Sequence, residues 1–97
     1  MVEIHTSAKI LTGNVESHER DIECALTEHR QGLVKYCYSL LWDYHEAQDA
    51  TQDVLLTAIR KAASLREYSK VGTWLYRIAY NTCMNIIKRK KLFSLFL

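Results

Sequence analysis

The sequence predicts an all-α protein, and three observations carry that prediction. Proline is absent and only Gly13, Gly32 and Gly72 interrupt the chain, so the turn residues that hairpins and sheets need are scarce. Apolar residues recur at steps of three and four over most of the length, the spacing of one buried helix face. The 97 residues, 48% of them hydrophobic, supply enough apolar surface for one core and not for two. The expected architecture is a small bundle of three main helices, with room for a short fourth at the N-terminus.

Residues 1–16 read as a lead-in whose apolar members, Val2, Ile4, Ala8, Ile10 and Leu11, set no clear period. This stretch is either a short helix or loose chain. From about residue 17 to 42, Ile22, Ala25, Leu26, Leu33, Tyr36, Cys37, Leu40 and Leu41 trace a helical stripe, with Asp and Glu enriched in the early turns where the helix dipole favours them. Gly32 is a point at which this helix can bend or split.

Asp43 followed by Glu46 has the spacing of a capping box, in which a carboxylate accepts from the first amides and a Glu three residues on answers it. The second helix is expected over about 44–65, burying Ala47, Ala50, Val54, Leu55, Ala58, Ala62 and Leu65. Glu46, Asp49, Gln52 and Asp53 project elsewhere on its first half. Dipole stabilisation accounts for Glu46, but less well for Gln52 and Asp53, two turns in. The residues REYSKVG at 66–72 break the pattern and read as a short loop held between two helices, with Ser69 placed to cap the next one. Loops held this way often carry specificity.

The last helix, TWLYRIAYNTCMNIIKRKK at 73–91, presents two faces. Val71, Trp74, Leu75, Ile78, Ala79, Thr82 and Ile86 form an apolar stripe that must be buried. Arg77, Asn81, Asn85 and Lys88 recur on a second face, with Tyr76 and Tyr80 beside them and no carboxylate among them. Cations, amides and aromatic rings together suit phosphate oxygens, base edges and base faces. The plainer alternative is a solvated basic face. Residues 92–97 are an apolar tail behind four cations: the start of a linker in an unfinished fragment, a frayed terminus, or a segment that lies on a membrane surface.

A net charge of +2 conceals an asymmetry. Up to Asp53 there are four Lys or Arg against ten Asp or Glu; from Val54 onward there are nine against one. The basic half raises the local concentration of a polyanion, and the acidic half can face a basic protein. Cys24, Cys37 and Cys83 are odd in number and widely spaced, the pattern of free thiols in a reducing compartment. His5, His18, His29 and His45 lack ligand-pair spacing, so no metal site is expected. No secretory signal or membrane-spanning run of about 18 apolar residues is visible, and a cytoplasmic location is expected. No nucleophile with a base and no phosphate-cradling loop appears, so neither enzymatic activity nor a cofactor is expected.

These stretches resemble region 2 of the bacterial sigma factors, most closely the extracytoplasmic-function (ECF) group, over about residues 22–91. WLYRIAYN at 74–81, following SLREYSKVGT, carries the most specific likeness, and DYHEAQDATQDVLLTAIRKA at 43–62 is similar to the family's acidic, glutamine-containing helix. The resemblance implies that Asp49, Gln52 and Asp53 contact the clamp helices of the RNA polymerase β′ subunit. It implies that residues 65–72, with Arg66, Ser69 and Lys70, form the loop that captures a base flipped from the promoter minus-ten element. Arg77, Asn81 and Asn85 would meet the upstream edge of that element, flanked by Tyr80 and Lys88, and Trp74 would lie where the duplex opens.

Trp74 also falls on the apolar stripe, so core packing is an equal reading. Arg77 fits a phosphate contact or an internal ion pair at least as well as base readout. Asn81 is the better base reader, because its amide offers a donor and an acceptor at once. Arg60, Lys61, Arg66, Lys70 and residues 88–91 suit backbone contacts.

Some positions depart from the family pattern: Thr51 stands where it commonly has an apolar residue, Val71 where it commonly has an aromatic, and the lead-in to the second helix differs. The helix-turn-helix domain that reads the minus-thirty-five element has no counterpart here, so the expectation is the promoter-melting half of a two-domain factor. An anti-sigma factor is a further partner the resemblance implies. A reading of another class stays open: an interaction module that occupies the clamp or an anti-sigma factor without opening DNA.

Overall fold

The computed structural model describes residues 14–97, with side-chain surroundings from Asp21 onward. The expected short N-terminal helix falls largely outside the described residues. Helix α1 spans Asn14–Leu41, α2 spans Tyr44–Arg60 and α3 spans Val71–Phe96, with single 3₁₀ turns at Ala62–Ser64 and Tyr68–Lys70 between the last two. No strand occurs among the described residues. The periodicity therefore predicted the fold class and the number of main helices.

Helix α1 runs through Gly32 without a break. A glycine there lowers helix propensity, yet it serves the packing: a β-carbon built on Gly32 overlaps the Tyr76 hydroxyl of α3. That ring stands edge-on to Tyr36, centroids 5.2 Å apart, and to His29 at 6.2 Å. The missing side chain lets α3 approach α1.

Two residues join α1 to α2. Trp42 takes a left-handed backbone conformation, φ 63°, and its amide bonds Tyr38 O at 2.8 Å, so a bulky residue occupies a helix-ending position that usually falls to glycine. Asp43 then caps α2 as expected, its Oδ1 accepting from the Glu46 amide at 3.0 Å. The Glu46 carboxylate does not complete a capping box. It accepts from Lys90 Nζ at 2.5 Å and so ties the start of α2 to the far end of α3.

Helix α2 ends at Arg60, five residues before the expected end. Lys61 leaves helical geometry, Ser64 Oγ donates to Lys61 O at 2.6 Å, and Leu65 is extended. A short hydroxyl side chain offers its own backbone a partner and competes with the helix. Leu65 still reaches the core, as its place on the stripe required, while Ala62 is only half-buried.

Ser69 does not cap the last helix. Lys70 occupies that position with no side-chain hydrogen bond, and the preceding 3₁₀ turn supplies Tyr68 O to the Val71 amide. Gly72, expected in the loop, lies within α3.

The core joins Ile22, Ala25, Leu26, Leu33, Cys37 and Leu41 of α1 to a row of small residues on α2 and a row on α3. On α2, Ala47, Ala50 and Ala58 are fully buried, so its backbone can sit close to its neighbours. Thr51, also buried, satisfies its hydroxyl on Ala47 O at 2.8 Å. On α3 the buried row is Val71, Leu75, Ala79 and Cys83. Each fully buried Leu or Val contributes about 1.5–3 kcal/mol relative to exposure. Trp74, Ile78, Thr82 and Ile86 flank that row half-buried, so the expected stripe is correct in direction and lacks Cys83. Gly72 lies against His29, Tyr76 against Gly32 and Tyr36, and Cys83 against Cys37, which makes α3 parallel to α1.

Candidate nucleic-acid interface

Burying residues 71, 75, 79 and 83 of α3 turns the opposite side outward. Thr73, Arg77, Tyr80, Asn81, Asn85 and Lys88 are all exposed there. Tyr76, expected beside this face, is wedged between α1 and α3 instead. The residues at steps of four do not share one site. Each such step turns about 40° around the helix, so Asn85 lies about 80° from Arg77.

Arg77 faces the loop. Ser64, Leu65, Arg66, Glu67, Lys70, Thr73, Trp74 and Arg77 line a cleft of about 230 Å³. This volume is below the roughly 300–1,000 Å³ of drug-sized pockets and suits a single ring system. Loop residues line it together with half-buried Trp74, and Arg66, Lys70 and Arg77 supply cations. Lys70 Nζ stands 3.6 Å from Glu67 Oε1, both side chains well exposed, a pair too solvated to withhold the lysine from an anion. In the same loop, the Tyr68 phenol pKa is raised by desolvation, then by Glu28 and Asp21 of α1. The structure thus brings together Arg66, Lys70, Trp74 and Arg77. Ser69, Asn81, Asn85 and Lys88 do not line this cleft.

Asn85 lines another groove. It joins Asp53, Leu56, Thr57, Ile59, Arg60, Thr82 and Arg89 around about 550 Å³ between α2 and α3. Asn81 remains exposed between the two clefts.

Asp49, Gln52 and Asp53 are exposed together on α2. Gln52 Oε1 accepts from Arg30 Nη2 at 3.4 Å, which tethers it toward α1. Leu56 and Ile59, 52% and 57% exposed, follow within two turns and lie between the groove just described and a third, of about 370 Å³, on the α1 side. The sequence reading missed this apolar ridge. Its signal was available: both residues are large and apolar yet lie off the buried stripe of α2.

The buried thiols face each other across the core. The Cys83 pKa is pushed up to about 12, first by burial and then by a hydrogen bond with Cys37 and its proximity. No cluster of His, Cys, Asp or Glu able to hold a metal occurs among the described residues. None of the described helices is long and apolar enough to cross a membrane.

These features define a class: a small helical domain with a basic, amide-bearing helix face beside a narrow loop-walled cleft, and a separate acidic and apolar face. The particular family follows from comparison. The Sigma-70 region 2 family model matches residues 25–93, and the chain belongs to that family. It is 30% identical over 82 residues to the ECF RNA polymerase sigma factor SigG of Mycobacterium tuberculosis, covering 82% of this chain and 22% of the relative. It is 35% identical over 63 residues to the ECF sigma factor SigW of Bacillus subtilis, covering 65% and 34%. The ECF sigma factor SigM of Mycobacterium tuberculosis is 29% identical over 86 residues, covering 89% and 44%. The chain spans less than half the length of each of these relatives. No solved structure matches it.

Proposed function

We propose that this domain docks on the β′ clamp helices of RNA polymerase and holds the unpaired minus-ten strand of a promoter, as part of a sigma factor in transcription initiation. The observation that carries the reading is the cleft of Arg66, Lys70, Trp74 and Arg77, which sets a half-buried tryptophan among cations, one helical turn before the exposed Asn81. Opening a base step costs a few kcal/mol, and a protein offsets that cost by stacking the released base and satisfying its polar edge. In this reading Trp74 and the loop backbone flank the base, Arg66, Lys70 and Arg77 hold phosphates, and Asn81 reads an edge outside the cleft. Strand opening is then selected by binding, with no bond made or broken by the protein. Asp49, Gln52 and Asp53 form the polymerase anchor, and Leu56 adds an apolar centre to a charged rim, the usual anatomy of a protein interface.

Titration with short single-stranded oligonucleotides of candidate minus-ten sequences, with and without a β′ clamp-helix fragment and at two salt concentrations, tests this. A sequence preference that persists at the higher salt is the expected result, because nonspecific phosphate binding falls steeply with salt. Binding that is independent of sequence and vanishes with salt would refute it.

One observation favours a second reading, a protein-binding module that opens no DNA: Asn85 shares its groove with Asp53 and the apolar ridge. On that reading Asp49→Lys with Asp53→Lys abolishes function, while Arg77→Ala and Asn81→Ala change little. On the first reading both pairs are damaging.

A further inference from the structure

We infer that Cys37 and Cys83 form a redox-sensitive modification site, a thiol pair that a hydroperoxide converts into a disulfide tying α3 to α1. The inference goes beyond the function proposed above and does not rest on it. All three cysteines are free; Cys24 is exposed, whereas Cys37 and Cys83 are buried. Both of the buried ones are 0% exposed.

Two observations bring the sulfurs together. The parallel register sets Gly72 beside His29, and Tyr76 beside Gly32 and Tyr36. Two turns on from Tyr76, α3 presents Cys83 to the stretch of α1 whose buried residues are Cys37 and Leu41. The thiols themselves share a hydrogen bond. A disulfide needs Cα atoms about 4.4–6.8 Å apart and Cβ atoms that point toward each other. Thiols in hydrogen-bond contact meet the second requirement. The first is served by a seam of small residues: Gly32, Cys37, Ala79 and Cys83 let the two backbones approach closely. Rotation of the two side chains then suffices to exchange the hydrogen bond for a covalent one.

The closed bundle protects the pair. Burial and the Cys37 contact hold the proton on Cys83, and the thiolate rather than the thiol attacks peroxide. Reaction therefore begins in a transient opening of the seam, where a sulfur can ionise. The thiolate attacks one peroxide oxygen, the O–O bond breaks, and a sulfenic acid forms while the other oxygen leaves as water after taking up a proton. Reclosing sets the second thiol against the sulfenic sulfur. The S–S bond forms, the S–O bond breaks, and the departing hydroxide takes the thiol proton to give a second water. Two electrons pass from the sulfurs to the peroxide. Because the fold itself delivers the second thiol, closure outruns further oxidation to the sulfinic acid. The bond encloses nearly half the chain, and long loops gain the most from closure. The stability of the helix that carries Arg77 and Asn81 thus responds to the level of oxidant.

The test uses the full chain with Cys24→Ser, an exposed position, which leaves the two buried thiols alone. After treatment with hydrogen peroxide and alkylation in denaturant, the intact mass should be lower by two hydrogens with no alkyl group added. Non-reducing tryptic digestion should join residues 36–60 to residues 78–88. The oxidised protein should melt roughly 10 °C or more above the same protein kept in dithiothreitol. Cross-linking should also accelerate severalfold in urea below the unfolding midpoint, because opening limits it. Sulfinic acid on separate cysteines, two alkylatable thiols after a treatment that oxidises Cys24 of the parent, a cross-linked protein that melts no higher than the reduced one, or a rate indifferent to urea would each overturn the proposal.

Discussion

Gly32→Ala offers a test in which the sign of the effect depends on one atom. In an isolated helix this change stabilises by about 1 kcal/mol. Here the new β-carbon meets the Tyr76 hydroxyl, and overpacking of this kind costs about 1–3 kcal/mol. The hydroxyl cannot withdraw cheaply, because the Tyr76 ring is held edge-on between Tyr36 and His29. The expected net effect is a loss of about 1 kcal/mol. Removing the hydroxyl reverses it: with Tyr76→Phe as background, the nearest remaining ring atom, Cζ, is 3.8 Å away, an ordinary contact. Gly32→Ala should then stabilise by about 0.5–1 kcal/mol. Urea unfolding of the four proteins closes the cycle, and shifts in midpoint at constant m-value report stability. If Gly32→Ala stabilises the parent protein, or destabilises both backgrounds equally, the packing account of Gly32 is wrong.

Three further outcomes are expected. Asp43→Ala removes the one side-chain cap of α2 and should cost about 1 kcal/mol in thermal unfolding, whereas Asp43→Asn should be nearly neutral. Lys90→Ala breaks the link to Glu46, but with the two side chains 51% and 33% exposed, the loss should stay below about 1 kcal/mol and shrink in salt. For Cys83, the thiol ionises near 9.0 when the chain is unfolded and at about 12 in the folded protein. The fold therefore holds the proton longer. Its contribution is fully present below pH 9 and is lost as pH rises toward 12. Equilibrium unfolding across that range should show an alkaline decline that is shallower in Cys83→Ala, and an unchanged slope would contradict the assignment.

The bundle was legible because its buried residues repeat at helical spacing. The apolar stripes from Ile22 to Leu41 and from Ala47 to Ala58 lie on the face that their period predicts, and Asp43 caps α2 as its place before Glu46 predicts. What escaped depended on competition or on neighbours distant in sequence. The early end of α2 arises where Ser64 offers a local partner, a choice that apolar spacing at Ala62 and Leu65 does not reveal. Ser69 reads as a cap only if the loop before α3 is irregular; the 3₁₀ turn already supplies the carbonyl. Tyr76 and Tyr80 look equivalent in the sequence, and only the approach of α1 at Gly32 buries the first and leaves the second outside. The row from Arg77 to Asn85 was correctly predicted to face outward, but its drift around α3 divides it between the loop cleft and the groove beside α2.

If Asn81 reads a base whereas the cations near the loop hold backbone, the two kinds of residue respond differently to changes of sequence and salt. Dissociation constants are measured for the parent, Asn81→Ala and Lys70→Ala against oligonucleotides varied one base at a time, at two salt concentrations and with the clamp fragment present. Asn81→Ala should lose about 1–3 kcal/mol of discrimination at one position and little elsewhere. Lys70→Ala should weaken every sequence alike and lower the salt slope by about one contact. If Asn81→Ala leaves every preference unchanged, or weakens all sequences equally, α3 is a charged surface and does not read bases.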